Sequence, residues 1–137
     1  MYYIDTNIFI RAITGDDVGK KERCQKLFKK IALKELVATT TESVIAEIVY
    51  VLNSKKVGYC LSRDDIQKRL SPILQLPYIK IPNKPVYLRA LELFRDISID
   101  FEDAIVIAFI LSNDGSDCLY SYDQKLSVGG LVKRLEP

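Results

Sequence analysis

The sequence predicts an α/β fold of three layers, in which a small central parallel sheet has helices on both faces. Short apolar runs rich in β-branched and aromatic residues alternate with longer segments of helical periodicity. Strands joined by helices run parallel, because each crossover returns the chain to the same end of the sheet. The length of 137 residues, without a linker or a repeat, predicts one domain over residues 1–137.

The first element is the stretch M-Y-Y-I-D-T-N-I-F-I-R at residues 1–11. Its apolar run at residues 2–4 predicts a buried strand. Asp5 ends that run, and Thr6 and Asn7 are residue types that start helices. Open α/β sheets bind ligands at the carboxyl ends of their strands, so Asp5 is a candidate site residue. The alternative is that Asp5 only caps the following helix.

Three later helices carry specific signals. Apolar residues spaced i, i+3, i+4 and i+7 predict an amphipathic helix around residues 20–31, whose basic face we expect to be solvated. Ser62, three residues before Asp65, resembles a capping box. The segment after Asp103 is apolar on all sides, which predicts a fully buried helix. The other predicted elements are strands at 36–38, 78–81, 118–121 and 131–135, and helices at 42–52, ended by residues 55–58, and at 85–97.

Composition excludes several kinds of site. The chain has no histidine, so it contains no Ser-His or Cys-His pair and no imidazole zinc site. Cys24, Cys60 and Cys118 are far apart and form no C-x-x-C pair, which indicates reduced thiols. The net charge of +2 is too small to argue for nucleic acid by itself. Without a membrane-length apolar run or a signal-peptide pattern, we expect a cytoplasmic protein with no membrane partner.

Four carboxylates stand where strands end and helices begin. Asp123 follows the strand at 118–121, as Asp5 follows the first strand, and Asp103 lies in the first turn of the apolar helix. Glu47 borders the apolar face of its helix, where desolvation is costly unless a positive group is near. The alternative for each is structural, such as a favourable helix-dipole contact, a turn or an edge position.

Taken together, the four acids predict a cation. Several ionised carboxylates do not share a small site unless a positive ion neutralises them. Oxygen ligands without histidine or thiolate favour Mg²⁺ or Mn²⁺, and a hard divalent ion suits phosphate chemistry.

Four blocks resemble the PIN-domain ribonucleases, and most of all the VapC-type toxins of bacterial and archaeal toxin–antitoxin pairs. They read D-T-N-I-F-I-R, S-V-I-A-E-I-V-Y-V-L, I-D-F-E-D-A-I-V-I-A-F and Y-S-Y-D-Q-K-L, in the family's order and over essentially the whole chain. The resemblance implies a PIN-like fold and a magnesium- or manganese-dependent endoribonuclease. Glu42 is a rival to Glu47, but it lies outside the A-E-I-V part of its block. The implied metal-binding and catalytic acids are Asp5, Glu47, Asp103 and Asp123, supported by Asn7, Asp100 and Ser121.

The resemblance also implies partners: an RNA substrate, a cognate VapB-type antitoxin and a second copy of the chain in a homodimer. Basic residues near the motif ends are candidates for guiding the RNA backbone. They are Arg11, Lys55, Lys56, Arg63 and Lys125.

Other functions remain open alternatives. One is a housekeeping PIN nuclease of RNA processing, and another is a non-catalytic PIN-fold module that binds RNA or protein. An aspartyl-phosphate phosphatase fits poorly. Those enzymes have a D-x-D motif after the first strand, and in this chain Asn7 occupies its second acidic position. A signalling receiver domain fits poorly too, since such a domain would have adjacent acids at the end of the first strand.

Overall fold

The computed structural model describes residues 1–56 and 59–137. It contains two compact units, Met1–Lys84 and Pro85–Pro137. The single domain predicted over the whole chain stays a prediction. Of the segment 55–58, which we expected to end the third helix, residues 57 and 58 lie outside the described part. No helix in the described ranges is both long and apolar enough to cross a membrane.

The first unit pairs its strands in parallel. Tyr2 lies opposite Ala38 and Tyr3 opposite Thr39, and Ile79 adds one parallel bridge to Ala38. In chain order its elements are β1 (Tyr2–Tyr3), α1 (Thr6–Ile13), α2 (Val18–Ala32), β2 (Ala38–Thr39), α3 (Glu42–Asn53) and α4 (Arg63–Leu74). Alternating helices with parallel pairing confirm the predicted α/β class.

Two details of the predicted sheet were wrong. The strand predicted at 78–81 is reduced to its bridge at Ile79, and Pro82, which lacks an N–H donor, follows directly. The first strand is not buried: Tyr2 is 62% exposed and Tyr3 77% exposed, and only Ile4 enters the core. An apolar run cannot reveal this, because a tyrosine can keep its hydroxyl and much of its ring in water.

Local capping bonds set where the helices begin. The Thr41 hydroxyl accepts from the Val44 amide at 3.3 Å and starts α3, and the Ser62 hydroxyl accepts from the Asp65 amide at 3.1 Å and starts α4. The expected cap at Ser62 is thus confirmed. Helices α1 and α2 pack through the rings of Phe9 and Phe28, whose centroids lie 5.2 Å apart. That contact holds the start of α1 and its acidic neighbour in a fixed place.

The second unit has the same parallel pairing. Its elements are α5 (Lys84–Asp96, beginning on the last residue of the first unit), α6 (Phe101–Ser112), β3 (Cys118–Tyr120), a 3₁₀ segment (Gln124–Gly130) and β4 (Lys133–Leu135). Leu119 of β3 lies opposite Arg134 of β4. Phe94 and Phe101 meet edge to face at 5.9 Å, which fixes the start of α6 against α5.

Helix α6 departs from its prediction. It was expected to be buried all round, but Val106 is 43% exposed and Ile110 is half-buried. The buried positions that hold it in the core are Phe101, Ala104, Ile105, Ile107 and Ala108. Apolar composition therefore predicted the helix and its buried face, but not its open side.

Candidate active site

Two of the predicted acids meet in the first unit, and Thr6 joins them. The Thr6 amide donates to Oδ1 of Asp5 at 2.8 Å, and the Thr6 hydroxyl donates to Oε2 of Glu47 at 2.9 Å. Both carboxylates line a groove of about 290 Å³, together with Asn7 and Arg11. The first turn of α1 thus holds an acid from the strand end beside an acid from the middle of α3.

Asp5 has the capping role weighed for it, and its role as a site residue stays a prediction. It is the N-cap of α1, as its structural alternative predicted, and it also lines the groove. The capping hydrogen bond uses Oδ1 of the Asp5 carboxylate, and Oδ2 does not take part in it. A capping acid at this place is therefore able to bind a ligand as well.

The expectation for Glu47 needs a correction. Glu47 was predicted to be costly to desolvate, but its side chain is exposed and is fixed by the neutral Thr6 hydroxyl. Its rival Glu42 is the first residue of α3 and is not among the groove's lining residues.

Arg11 is the predicted cation that lines the groove. Its Nη1 lies 3.8 Å from Oδ2 of Asp16, and the Tyr59 hydroxyl donates to the same Asp16 oxygen. The bond to Asp16 and burial raise the pKa of Tyr59, so its phenol stays protonated and remains a donor. Lys55 and Lys56, also predicted to bind RNA, are exposed beyond α3 and are not groove-lining residues.

Sequence reasoning missed Tyr59 and Asp16. They are 43 residues apart in the chain, and neither belongs to a motif. The only local signal is the Gly-Asp-Asp sequence at residues 15–17, whose residue types are typical of a turn after a helix.

The other predicted acids gather in the second unit around Asp103. Burial raises the pKa of Asp103, and the charges of Asp100, Asp123 and Glu102 raise it further. Asp100 is the N-cap of α6, yet its side chain makes no capping hydrogen bond within the described part of the chain. Asp103 is thus a partly buried carboxyl that three neighbouring carboxylates repel.

Ser121 shapes the turn that carries Asp123. The Asp123 amide donates to the Ser121 hydroxyl at 3.0 Å, and Oδ1 of Asp123 accepts from the Lys125 amide at 3.0 Å. The described contact of Lys125 with Asp123 is therefore made by the backbone amide of Lys125. Ser121, predicted as a supporting residue, positions the loop that bears the acid.

The donor set fits a hard divalent cation. Burial and three neighbouring carboxylates raise the pKa of Asp103, so a cation beside it would favour its ionised form. All candidate ligands are carboxylate oxygens, as Mg²⁺ and Mn²⁺ prefer. Over residues 1–56 and 59–137, no three or more Asp, Glu or Cys side chains are already arranged to hold an ion. In these described ranges, the suitable ligand types are present, but they are not already arranged in a coordination geometry.

Comparison with known proteins gives one family. The family model of the PIN domain matches residues 2–129, a span that includes Asp5, Glu47, Asp103 and Asp123. PIN domains have a nuclease-type fold and usually bind divalent metals. No curated protein matches the chain.

Proposed function

Since this chain belongs to the PIN domain family, we propose that it is a Mg²⁺- or Mn²⁺-dependent endoribonuclease. PIN domains are typically metal-dependent nucleases, which supports hydrolysis of a phosphodiester bond. The observation that carries the proposal is the partly buried carboxyl of Asp103, whose pKa is raised first by burial and then by the charges of Asp100, Asp123 and Glu102. Carboxylates crowded in this way favour a site that a cation completes.

In this mechanism the acids hold the ion and the neighbouring groups hold the RNA. Asp5, Glu47, Asp103 and Asp123 would bind the metal, which supplies positive charge and lowers the pKa of a bound water. Thr6 keeps Glu47 in place through its 2.9 Å hydrogen bond. Arg11, oriented by Asp16, donates to phosphate oxygens and fixes the phosphate for in-line attack by water.

The first prediction concerns metal dependence. Purified protein is expected to cut a mixed RNA pool with Mg²⁺ or Mn²⁺ and not with EDTA. The D5N variant is expected to be inactive, since asparagine still caps a helix but lacks the charge. Gel analysis and end-labelling check this, and products with 5′-phosphate and 3′-hydroxyl ends are expected. Ends with 2′,3′-cyclic phosphate would contradict a water nucleophile, because they arise from the RNA's own 2′-hydroxyl.

The second prediction concerns Tyr59. Replacing its hydroxyl in Y59F removes a hydrogen bond to Asp16, so Arg11 is held less firmly. We expect KM for RNA to rise about fivefold, the equivalent of about 1 kcal/mol, with kcat nearly unchanged. Steady-state kinetics of Y50F, which alters an exposed tyrosine on α3, provide the control. A fall in kcat with unchanged KM would contradict a role in binding.

The biological role is a further part of the proposal. The four sequence blocks support the toxin of a toxin–antitoxin pair, with a VapB-type antitoxin and a homodimer. A cytoplasmic location is part of the same proposal. Growth arrest on expression of the wild type but not of D5N, relieved by a small protein encoded next to it, would support this role. Cleavage without growth arrest would favour a housekeeping nuclease of RNA processing, and RNA binding without cleavage would favour a binding module.

A further inference from the structure

A second pocket adjoins the acidic groove. It has a volume of about 400 Å³, lies between α1 and α2, and shares Asn7 and Arg11 with the groove. Sites of this size suit a small organic ligand or one unit of a polymer. Because Asn7 and Arg11 line both, a chain lying in the groove can continue into the pocket.

The pocket combines an apolar surface with positive charge. Ile8, Cys24 and Leu27 form its apolar part, and Arg11, Lys20 and Arg23 are its cations. In the described part of the chain, no ion pair engages Lys20 or Arg23. Both side chains are exposed and line the pocket, where they can pair with a ligand's anion.

The positive charges converge on one place. The pKa of Asp17 is lowered, first by its hydrogen bond from the Lys20 amide and then by the charges of Lys20, Arg11 and Arg23. Asp17 and Asp16, the latter 3.8 Å from Arg11, oppose these cations. Arg11, Lys20 and Arg23 therefore place positive charge at the pocket, where it can pair with a phosphate of a nucleic-acid backbone.

We propose that this pocket binds one nucleotide of single-stranded RNA, next to the phosphate that is cut. The inference rests on the proposed function and adds a substrate subsite to it. A nucleotide has the same two parts as the pocket, a base that contacts apolar side chains and a phosphate that pairs with Arg or Lys. An acidic protein segment would satisfy the cations too, but continuity with the acidic groove through Asn7 and Arg11 favours the RNA.

The proposal adds a binding role to the view of α2 as solvated on its basic face. Lys26 and Lys29 are exposed and are not pocket-lining residues, so that view holds for them. Lys20 and Arg23 are exposed as well, but they line the pocket. The helix therefore offers a matched comparison of two pairs of cations with equal charge.

The test compares K20A/R23A with K26A/K29A. Fluorescence anisotropy measures the binding of a short labelled single-stranded RNA in EDTA, which prevents metal-dependent cleavage. We expect K20A/R23A to bind about tenfold more weakly and K26A/K29A no more than about twofold more weakly. The slope of log K against log salt should fall by about 0.7 for each phosphate that K20A/R23A no longer neutralises. Circular dichroism verifies that both variants are folded.

Cleavage, measured separately, distinguishes the two proposals. If wild type cuts RNA, K20A/R23A should raise KM and leave kcat unchanged, which supports the subsite. If wild type binds RNA without cutting it, a loss of affinity specific to K20A/R23A still supports the subsite while the nuclease function fails. Equal affinities of the two variants, or no RNA binding by wild type, would overturn the subsite and leave the pocket to an acidic protein segment.

Discussion

Replacing Asp103 by asparagine is expected to abolish RNA cleavage and, in the same protein, to stabilise the metal-free fold. The loss of a proposed metal ligand should lower kcat/KM by a factor on the order of 10³. The gain in stability has a separate cause: burial and three neighbouring carboxylates raise the pKa of Asp103, so its ionised form is unfavourable in the folded state. An asparagine keeps the side chain's shape and removes the charge.

The sign of the pH dependence follows from that shift. A carboxyl whose pKa is raised on folding contributes stability at pH below its ordinary value of 3.8. This contribution is lost as pH rises through the raised pKa, so at neutral pH the wild type carries the cost and D103N does not. In EDTA we expect the Tm of D103N to exceed that of wild type by about 2 °C at pH 7, and the two to converge in acid.

The control for this experiment is D114N. Asp114 lies exposed in the loop after α6, so the same change in net charge is made away from the cluster. We expect D114N to cut RNA like wild type and to have an unchanged Tm. A Tm of D103N lower than that of D114N at neutral pH would contradict the view that charge repulsion at Asp103 lowers the stability of the wild type.

Sequence alone predicts most features that depend on short-range interactions. The cap at Ser62 involves a side chain and an amide three residues apart, so the residue types there were sufficient to predict it. The position of Asp5 was also predicted from local sequence. An acid that stands where a strand ends and a helix begins lies at the end of the sheet. The family match over residues 2–129 confirms the fold that the four blocks suggested.

Features that depend on distant parts of the chain were missed. The exposure of Tyr3 and Val106 is set by what packs beside each, and a hydrophobicity pattern contains no information on that. The bond from Tyr59 to Asp16 joins residues 43 positions apart, so no local pattern predicts it. The hydrogen bond by which Thr6 fixes Glu47 is of the same kind, since it joins α1 to α3.

Replacing Glu47 by glutamine tests the other half of the proposed metal site. A glutamine oxygen still accepts the Thr6 hydroxyl, so the contact between α1 and α3 survives while the negative charge is removed. We expect E47Q to fold normally, to bind Mn²⁺ more weakly by calorimetry, and to cut RNA at least about 10²-fold more slowly.

The matched variant is E42Q, which removes the same charge from the same helix. Glu42 lies in the first turn of α3, where the interaction of its negative charge with the helix dipole stabilises the fold by about 0.5 kcal/mol. We therefore expect E42Q to lose a little stability and to retain cleavage and Mn²⁺ affinity. If E42Q lost activity and metal affinity while E47Q kept both, Glu42 would be the ligand. The groove defined by Asp5, Thr6 and Glu47 would then not be the place where the RNA is cut.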